Sequence, residues 1–365
     1  MNQSKVWAGI DLGQRRCHIC VIDQDGAELL HQECATSLES VSDALAPFGT
    51  QRIALIAVEA GNDTHLVRKL RGAGFPVTIF EARKASKFLA LRRNKTDASD
   101  ARGLADLGRL GANTVSRVHL KSVDCEQLRG LVVMRNRLVM MRLAAESSLR
   151  SRLALNGRRL KSTYDVAGVR REANAQLALL LAEDGIDLRS DLEPLIDLCE
   201  SLRMHLRKLD REVEVRAKAN EVCRLLMGVP GVGPICALSF YTAIEDPHRF
   251  RKASDIAPYL GLAPRRHQSG GLSRTLGIMK SGSKLTRTHL VTAATVFGNT
   301  APDCELKRWF IALRSRAGSK RARIALARKL AIILLTMWKR RAQFEPRGHF
   351  KPNDESVGGY EGLKS

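Results

Sequence analysis

Three strand-like runs stand before residue 37, and they constrain the fold more than anything else in the chain. Residues 5–13 and 16–23 have the apolar alternation of strands, and 27–36 continues it. Only residues 13–15 and 25–26 separate them. Connections that short cannot carry a parallel crossover, which takes a dozen residues or more. The three runs are therefore expected to fold as an antiparallel meander.

Beyond residue 36 the hydrophobic period changes. Leu38, Val41 and Leu45 have helical spacing within 37–47. A continuous apolar run at 52–59 reads as a buried strand, then a helix at 63–72 ending at Gly72 and Gly74, then a strand at 76–80. The order β-β-β-α-β-α-β-α matches an RNase H-like α/β domain, assigned to residues 1–115. Residues 116–222 form a helical arm, with helical patterns over 120–155, 172–183 and 191–222 and a break at 156–171. Such helices either bundle locally or pair with a second subunit. Residues 223–345 read as a mostly α C-terminal domain. It opens on MGVPGVGPICAL, crosses a Gly- and Ser-rich loop at 264–283 and closes in helices at 284–298 and 304–342. Residues 346–365 are polar and Gly-rich and read as a flexible tail.

Charge narrows the partners. The 365 residues carry a formal net charge of +22, and between 307 and 349 thirteen Lys or Arg stand against one acid, Glu345. Such an excess repels itself unless a polyanion neutralises it, which points to DNA or RNA. Aromatics make up only 5%, which argues against a base-stacking sheet surface. No charge-free stretch is long enough to span a membrane, and no lipidation signal is present. Eight scattered cysteines suit a reducing cytoplasm. Cys17 and Cys20 form a CxxC, but no second pair stands nearby to complete four zinc ligands, and the surrounding alternation is that of a strand.

Four carboxylates stand out against this basic background. Asp11 interrupts one apolar strand and Glu59 ends another. A buried carboxylate is costly unless paired or metal-bound. Asp97 and Asp100, three apart, share one face at the start of a helix. If the strands of Asp11 and Glu59 are neighbours, the four can hold two Mg²⁺ or Mn²⁺ ions about 4 Å apart, the arrangement that drives phosphoryl chemistry. Another reading stands beside it. An Asp-Gly hairpin also opens sugar kinases and actin-like ATPases, and Asp97 and Asp100 also suit a helix cap and a solvated face. A kinase would need further glycine-rich phosphate loops, and it leaves the positive charge unexplained.

Two downstream segments carry further chemistry. In MGVPGVGP, Gly231 and Gly233 permit a tight turn, and the helix after Pro234 offers free backbone N–H groups to a phosphate, as in a helix-hairpin-helix element. An ordinary Gly-Pro loop would look the same. Arg265, Arg266, Arg274, Lys280, Lys284 and Arg287 then crowd around Ser269-Gly270-Gly271. The two glycines let backbone approach a substrate and free the serine to face it. Most Ser-Gly-Gly sequences are loops or caps. His267 is a possible base, but spacing assigns no triad.

GIDLG, the VEA at 58–60 and KTDASDARGLADL resemble the N-terminal domain of the IS110/IS1111 insertion-sequence transposases. LMGVPGVGP, YLGLAP, RRHQSGG and GIMKSGSKLTRTHL resemble that family's C-terminal domain. The resemblance spans roughly residues 5–115 and 223–297. It implies a RuvC-like domain with Asp11, Glu59, Asp97 and Asp100 as its metal-binding set, and Ser269 as nucleophile. Gln268 stands where the family usually has a preceding serine. The resemblance also implies double-stranded DNA as substrate, an element-encoded RNA that selects sites, and a homo-oligomer, dimer or tetramer, in which the serine of one subunit meets the carboxylates of another. The setting it implies is the bacterial cytoplasm, with the nucleoid. Two rivals stay open on sequence alone: a hydrolytic RuvC-like Holliday-junction nuclease, which needs the carboxylates but not Ser269, and a non-catalytic nucleic-acid-binding protein.

Overall fold

The computed structural model describes residues 4–61, 64–90, 97–111, 115–269 and 272–345; for residues 97–98, 266–269 and 272–276 it describes the backbone alone. The chain divides into two compact units, one ending at Lys121 and the other starting at Ser122.

The first unit is built on the expected meander. Strands β1 (Val6–Leu12), β2 (Arg16–Ile22) and β3 (Glu28–Ala35) pair antiparallel in sequence order. Helix α1 (Leu38–Leu45) is capped by the Ser37 side chain, which accepts from the Ser40 amide, and buries Val41 and Leu45. A short turn of helix, α2 (Gly49–Arg52), leads into β4 (Ile53–Glu59). Then come α3 (Thr64–Gly72), β5 (Val77–Phe80), α4 (Ala82–Leu89), α5 (Asp97–Leu110) and the two-residue β6 (Arg117–Val118). The sheet order is β3-β2-β1-β4-β5-β6; β1-β4 and β4-β5 are parallel and the other pairs antiparallel. Val6, Ala8, Ile10, Ile56 and Val58 are fully buried, and pack with α1 and α3. On the other side, α5 packs through Ala101, Leu104, Ala105 and Leu107.

The second unit opens with α6 (Val123–Ala154), α7 (Gly168–Asp184) and α8 (Arg189–Ala219). It contains two apolar clusters. Ala145, Leu149 and Leu153 of α6 pack with Val169, Ala173 and Leu177 of α7 and with Leu192, Ile196, Cys199 and Leu202 of α8. At the other end Val132 of α6 and Val213 and Ala217 of α8 join the larger cluster, so the two long helices run antiparallel. Arg203 of α8 locks the far end. Its Nε donates to Glu146 at 2.8 Å, and its Nη1 to Thr163 Oγ1 and the Asp165 carbonyl. Both charged side chains are buried, so each satisfies a group that would otherwise be orphaned.

The larger cluster is built from α9 (Glu221–Met227), α10 (Pro234–Ile244), α11 (Ile256–Tyr259), α12 (Lys284–Thr300), α13 (Glu305–Ala317) and α14 (Ser319–Arg340). Two expectations are corrected. The segment 264–283 is not only a loop: β7 (Pro264–Ser269) and β8 (Leu272–Ile278) form an antiparallel ribbon within it. The helical stretch 304–342 is two helices, broken where Gly318 caps α13. The tail at 346–365 lies outside the described residues.

Candidate nucleic-acid-processing site

Register places the first two carboxylates. β1 and β4 run parallel, with Ile10 beside Val58 at the end of the ladder. One residue further on each strand stand Asp11 and Glu59, so they are neighbours on one sheet face. Both are partly buried, and both have interactions within the fold.

The same face is covered by α5, and a glycine makes this possible. A Cβ on Gly9 would lie 2.1 Å from the Ala101 carbonyl oxygen and 2.3 Å from the Ala105 nitrogen, so helix backbone rests directly on strand backbone. Trp7 lies next to Gly108 and Gly9 next to Ala101 and Ala105, so advancing along β1 moves back along α5. Asp11, two residues beyond Gly9, lies toward the first turn of α5, where Asp97 begins the helix and Asp100 is half-buried. The backbones of β1, β4 and the first turn of α5 thus bring four acidic positions to one end of the sheet. All the donors are oxygens, which suits a hard cation. His18, directly across from Asp11 on β2, escapes a reading of the sequence; its signal is hairpin register, which becomes legible once β1 and β2 pair through the short hinge.

The CxxC cysteines separate. Cys17 pairs with Cys34 and Cys20 with His31, and a spacing of three puts the two on opposite faces of β2. Burial pushes both thiols up to about 12.

The serine stands at the tip of a ribbon. Ser269 is the last residue of β7 and pairs with Leu272. Gly270 and Gly271, between them, lie outside the described residues. Positions 267 and 269 share a ribbon face by strand periodicity, and position 274 is across from 267. The base of the ribbon is tied to the body of the unit. Met279 N donates to the Ala263 carbonyl and Lys280 N to that of Gly261.

Arg287 requires a correction. Its place in the basic run puts it among the expected nucleic-acid contacts, but it is buried, and its Nη1 donates to the Leu260 and Ser281 carbonyls, both at 2.8 Å. Its guanidinium braces the ribbon base, and desolvation lowers its pKa. Arg265, Lys280 and Lys284 are exposed around the same base, while Arg266 and Arg274 lie within the ribbon.

The glycine turn joins α9 to α10. Gly231 has φ +82°, and a Cβ there would lie 2.6 Å from the Ala293 carbonyl and 2.8 Å from the Phe297 nitrogen of α12. Its absent side chain serves packing as well as turning. Gly233 is the N-cap of α10, with extended backbone and open space around it.

The chain has relatives among known proteins. Residues 8–156 match a family model for the transposase of IS110 elements that is named for a DEDD motif, and residues 223–305 match one described as transposase of the IS116/IS110/IS902 family. The chain is 26% identical over 343 residues to the transposase for insertion sequence element IS1111A of Coxiella burnetii, covering 92% of this chain and 90% of that one. It is 25% identical over 339 residues to the transposase for IS1328 of Yersinia enterocolitica, covering 89% and 94%. A shorter match, 32% identical over 133 residues, links it to the pilin gene-inverting protein of Moraxella bovis, covering 36% of this chain and 41% of that one. With one model over the carboxylate-bearing unit, the other over the glycine turn and serine ribbon, and near full-length relatives of the same kind, the chain belongs to the IS110/IS1111 family of insertion-sequence transposases.

Proposed function

We propose that this transposase cuts and rejoins double-stranded DNA with Ser269 as nucleophile, in a composite site with Asp11, Glu59, Asp97 and Asp100. The observation that carries the reading is the β1–β4 register, which makes Asp11 and Glu59 neighbours on the face that α5 covers. The strand order β3-β2-β1-β4-β5, with two antiparallel and two parallel junctions, supports an RNase H-like, RuvC-like assignment for the first unit.

The four carboxylates would hold Mg²⁺ or Mn²⁺, which when bound supplies charge stabilisation to the phosphate and the leaving oxygen. The chain's own groups do the rest. Ser269 Oγ attacks the phosphorus, a P–O bond to deoxyribose breaks, and the sugar hydroxyl leaves. His267, on the same ribbon face, is the candidate to take the serine proton, and the departing sugar oxygen takes one from solvent. Attack on the phosphoserine ester by another strand's hydroxyl rejoins DNA and restores the serine, so the bond energy is kept without ATP. Arg265, Arg266, Arg274, Lys280 and Lys284 counter the phosphate charge, and the amides at the start of α10 grip backbone beyond the cut.

Part of the +22 charge would bind an element-encoded RNA, with base pairing supplying sequence choice and the protein reading backbone shape. A homo-oligomer would bring the serine of one subunit to the carboxylates of another. No helix among the described residues is long and apolar enough to cross a membrane.

The test is a suicide DNA substrate that traps the ester. Wild type should give a denaturation-resistant protein–DNA adduct and Ser269→Ala none. Strand transfer retained by Ser269→Ala would overturn the serine mechanism.

A further inference from the structure

A second donor cluster lies on the α5 side of the same sheet, and its chemistry differs from that of the carboxylates. Cys20 of β2 and His31 of β3 are direct cross-strand partners. Glu28 is three residues before His31, a spacing that would normally put the two on opposite faces of a strand. The register shifts between Val21 and Ile22, so that Ile22 pairs with Glu28, and this bulge brings Glu28 round to the face of Cys20 and His31. One donor atom from each residue falls within a group no more than 4.8 Å across.

Cys20 and His31 flank the Glu28 carboxylate, one beside each oxygen. Cys20 Sγ is 3.6 Å from Glu28 Oε2, and His31 Nδ1 is 3.4 Å from Glu28 Oε1. Bond lengths of about 2.0–2.3 Å in a tetrahedron place neighbouring ligand atoms roughly 3.3–3.6 Å apart. Cys20 is fully buried beneath α5, with Ala101 and Ala105. The side chains of His31 and Glu28 are 29% and 41% exposed, which leaves water access for a fourth ligand. Arg102 Nη1 lies 3.4 Å from Glu28 Oε2 and holds that carboxylate in place.

We propose that Cys20, Glu28 and His31 form a binding site for a borderline transition-metal dication of the Zn²⁺ class, with water as fourth ligand. A mixed sulfur, nitrogen and oxygen set selects such an ion over Mg²⁺. On binding, the Cys20 thiol gives up its proton to solvent and sulfur bonds the metal. The Arg102 guanidinium remains the partner of Glu28. The site pins β3 to β2 under α5. It does not depend on the serine mechanism.

Co²⁺ titration of the full chain, stripped of metal with a chelator, reads the site directly. The expected result is one equivalent bound, with a thiolate-to-cobalt charge-transfer band in the near ultraviolet and the visible bands of a four-coordinate ion. The band should persist in excess Mg²⁺ and disappear in Cys20→Ser. Because Cys20 is buried and that variant could misfold, His31→Ala and Glu28→Gln serve as partly exposed counterparts, each expected to weaken Co²⁺ at least tenfold. No charge-transfer band in wild type, a band of full strength in folded Cys20→Ser, or unchanged affinity in both His31→Ala and Glu28→Gln would each overturn the site. None of these outcomes touches DNA cleavage, so the carboxylate and serine reading is judged separately.

Discussion

Single side chains separate chemistry from support. Asp11→Asn or Glu59→Gln should lower strand cleavage by on the order of 10²-fold or more while leaving far-ultraviolet circular dichroism unchanged, because a neutral amide keeps the shape and loses the charge that holds a cation. Arg265 and Arg287 look alike in sequence, both being cations in one basic run. Burial distinguishes them, and burial was not legible there. Arg265→Ala or Lys284→Ala should each reduce the slope of log affinity for DNA against log salt by about 1. Arg287→Ala should leave that slope unchanged, yet slow adduct formation by on the order of 10²-fold, since it loosens the base of the serine ribbon. Filter binding across a salt series, with single-turnover adduct kinetics, checks both. Gly9 was visible only as part of GIDLG; its reason, the 2.1 Å approach to Ala101, needed the helix in place. Gly9→Ala should overpack that contact and cost about 1–3 kcal/mol in urea denaturation.

At the scale of elements, the meander was legible because short hinges leave antiparallel strands no alternative. The β1–β4 contact was less so: parallel partners are separated in sequence by a hairpin and a helix, and nothing local fixes their register. The ribbon β7–β8 was missed for another reason. PRRHQS and LSRTLGI carry no regular apolar alternation in sequence, so the main strand signal is weak there. Between α6 and α8 the decisive contact is Arg203 with Glu146. Arg203→Met should destabilise the second unit by about 1–3 kcal/mol, because buried Glu146 keeps only the more exposed Arg150 and the Asp165 carbonyl loses a donor. Removing both charges in Glu146→Leu/Arg203→Met should recover much of that loss in the same denaturation experiment.

For the whole molecule, both the basic charge and the order of its motifs were legible from sequence, whereas the pairing of acidic positions by register was not. Buried thiols add a pH dependence. Desolvation in the C-terminal core pushes Cys223 and Cys236 up to about 12 from 9.0. The folded state therefore binds these protons more tightly than the unfolded one. Their contribution to stability is fully present below pH 9 and is lost as pH rises toward 12. Urea midpoints measured across that window should fall more steeply for wild type than for Cys223→Ala/Cys236→Ala.

In the composite site proposed above, the carboxylates and Ser269 serve one chemical step. Formation of the covalent adduct by Asp11→Asn, with Ser269 intact and Mg²⁺ present, tests it most directly. Loss of the adduct to below about a hundredth of the wild-type rate, with DNA affinity kept, is the predicted result. Adduct formation at the wild-type rate would mean that the serine works without the carboxylates, and would contradict the composite site.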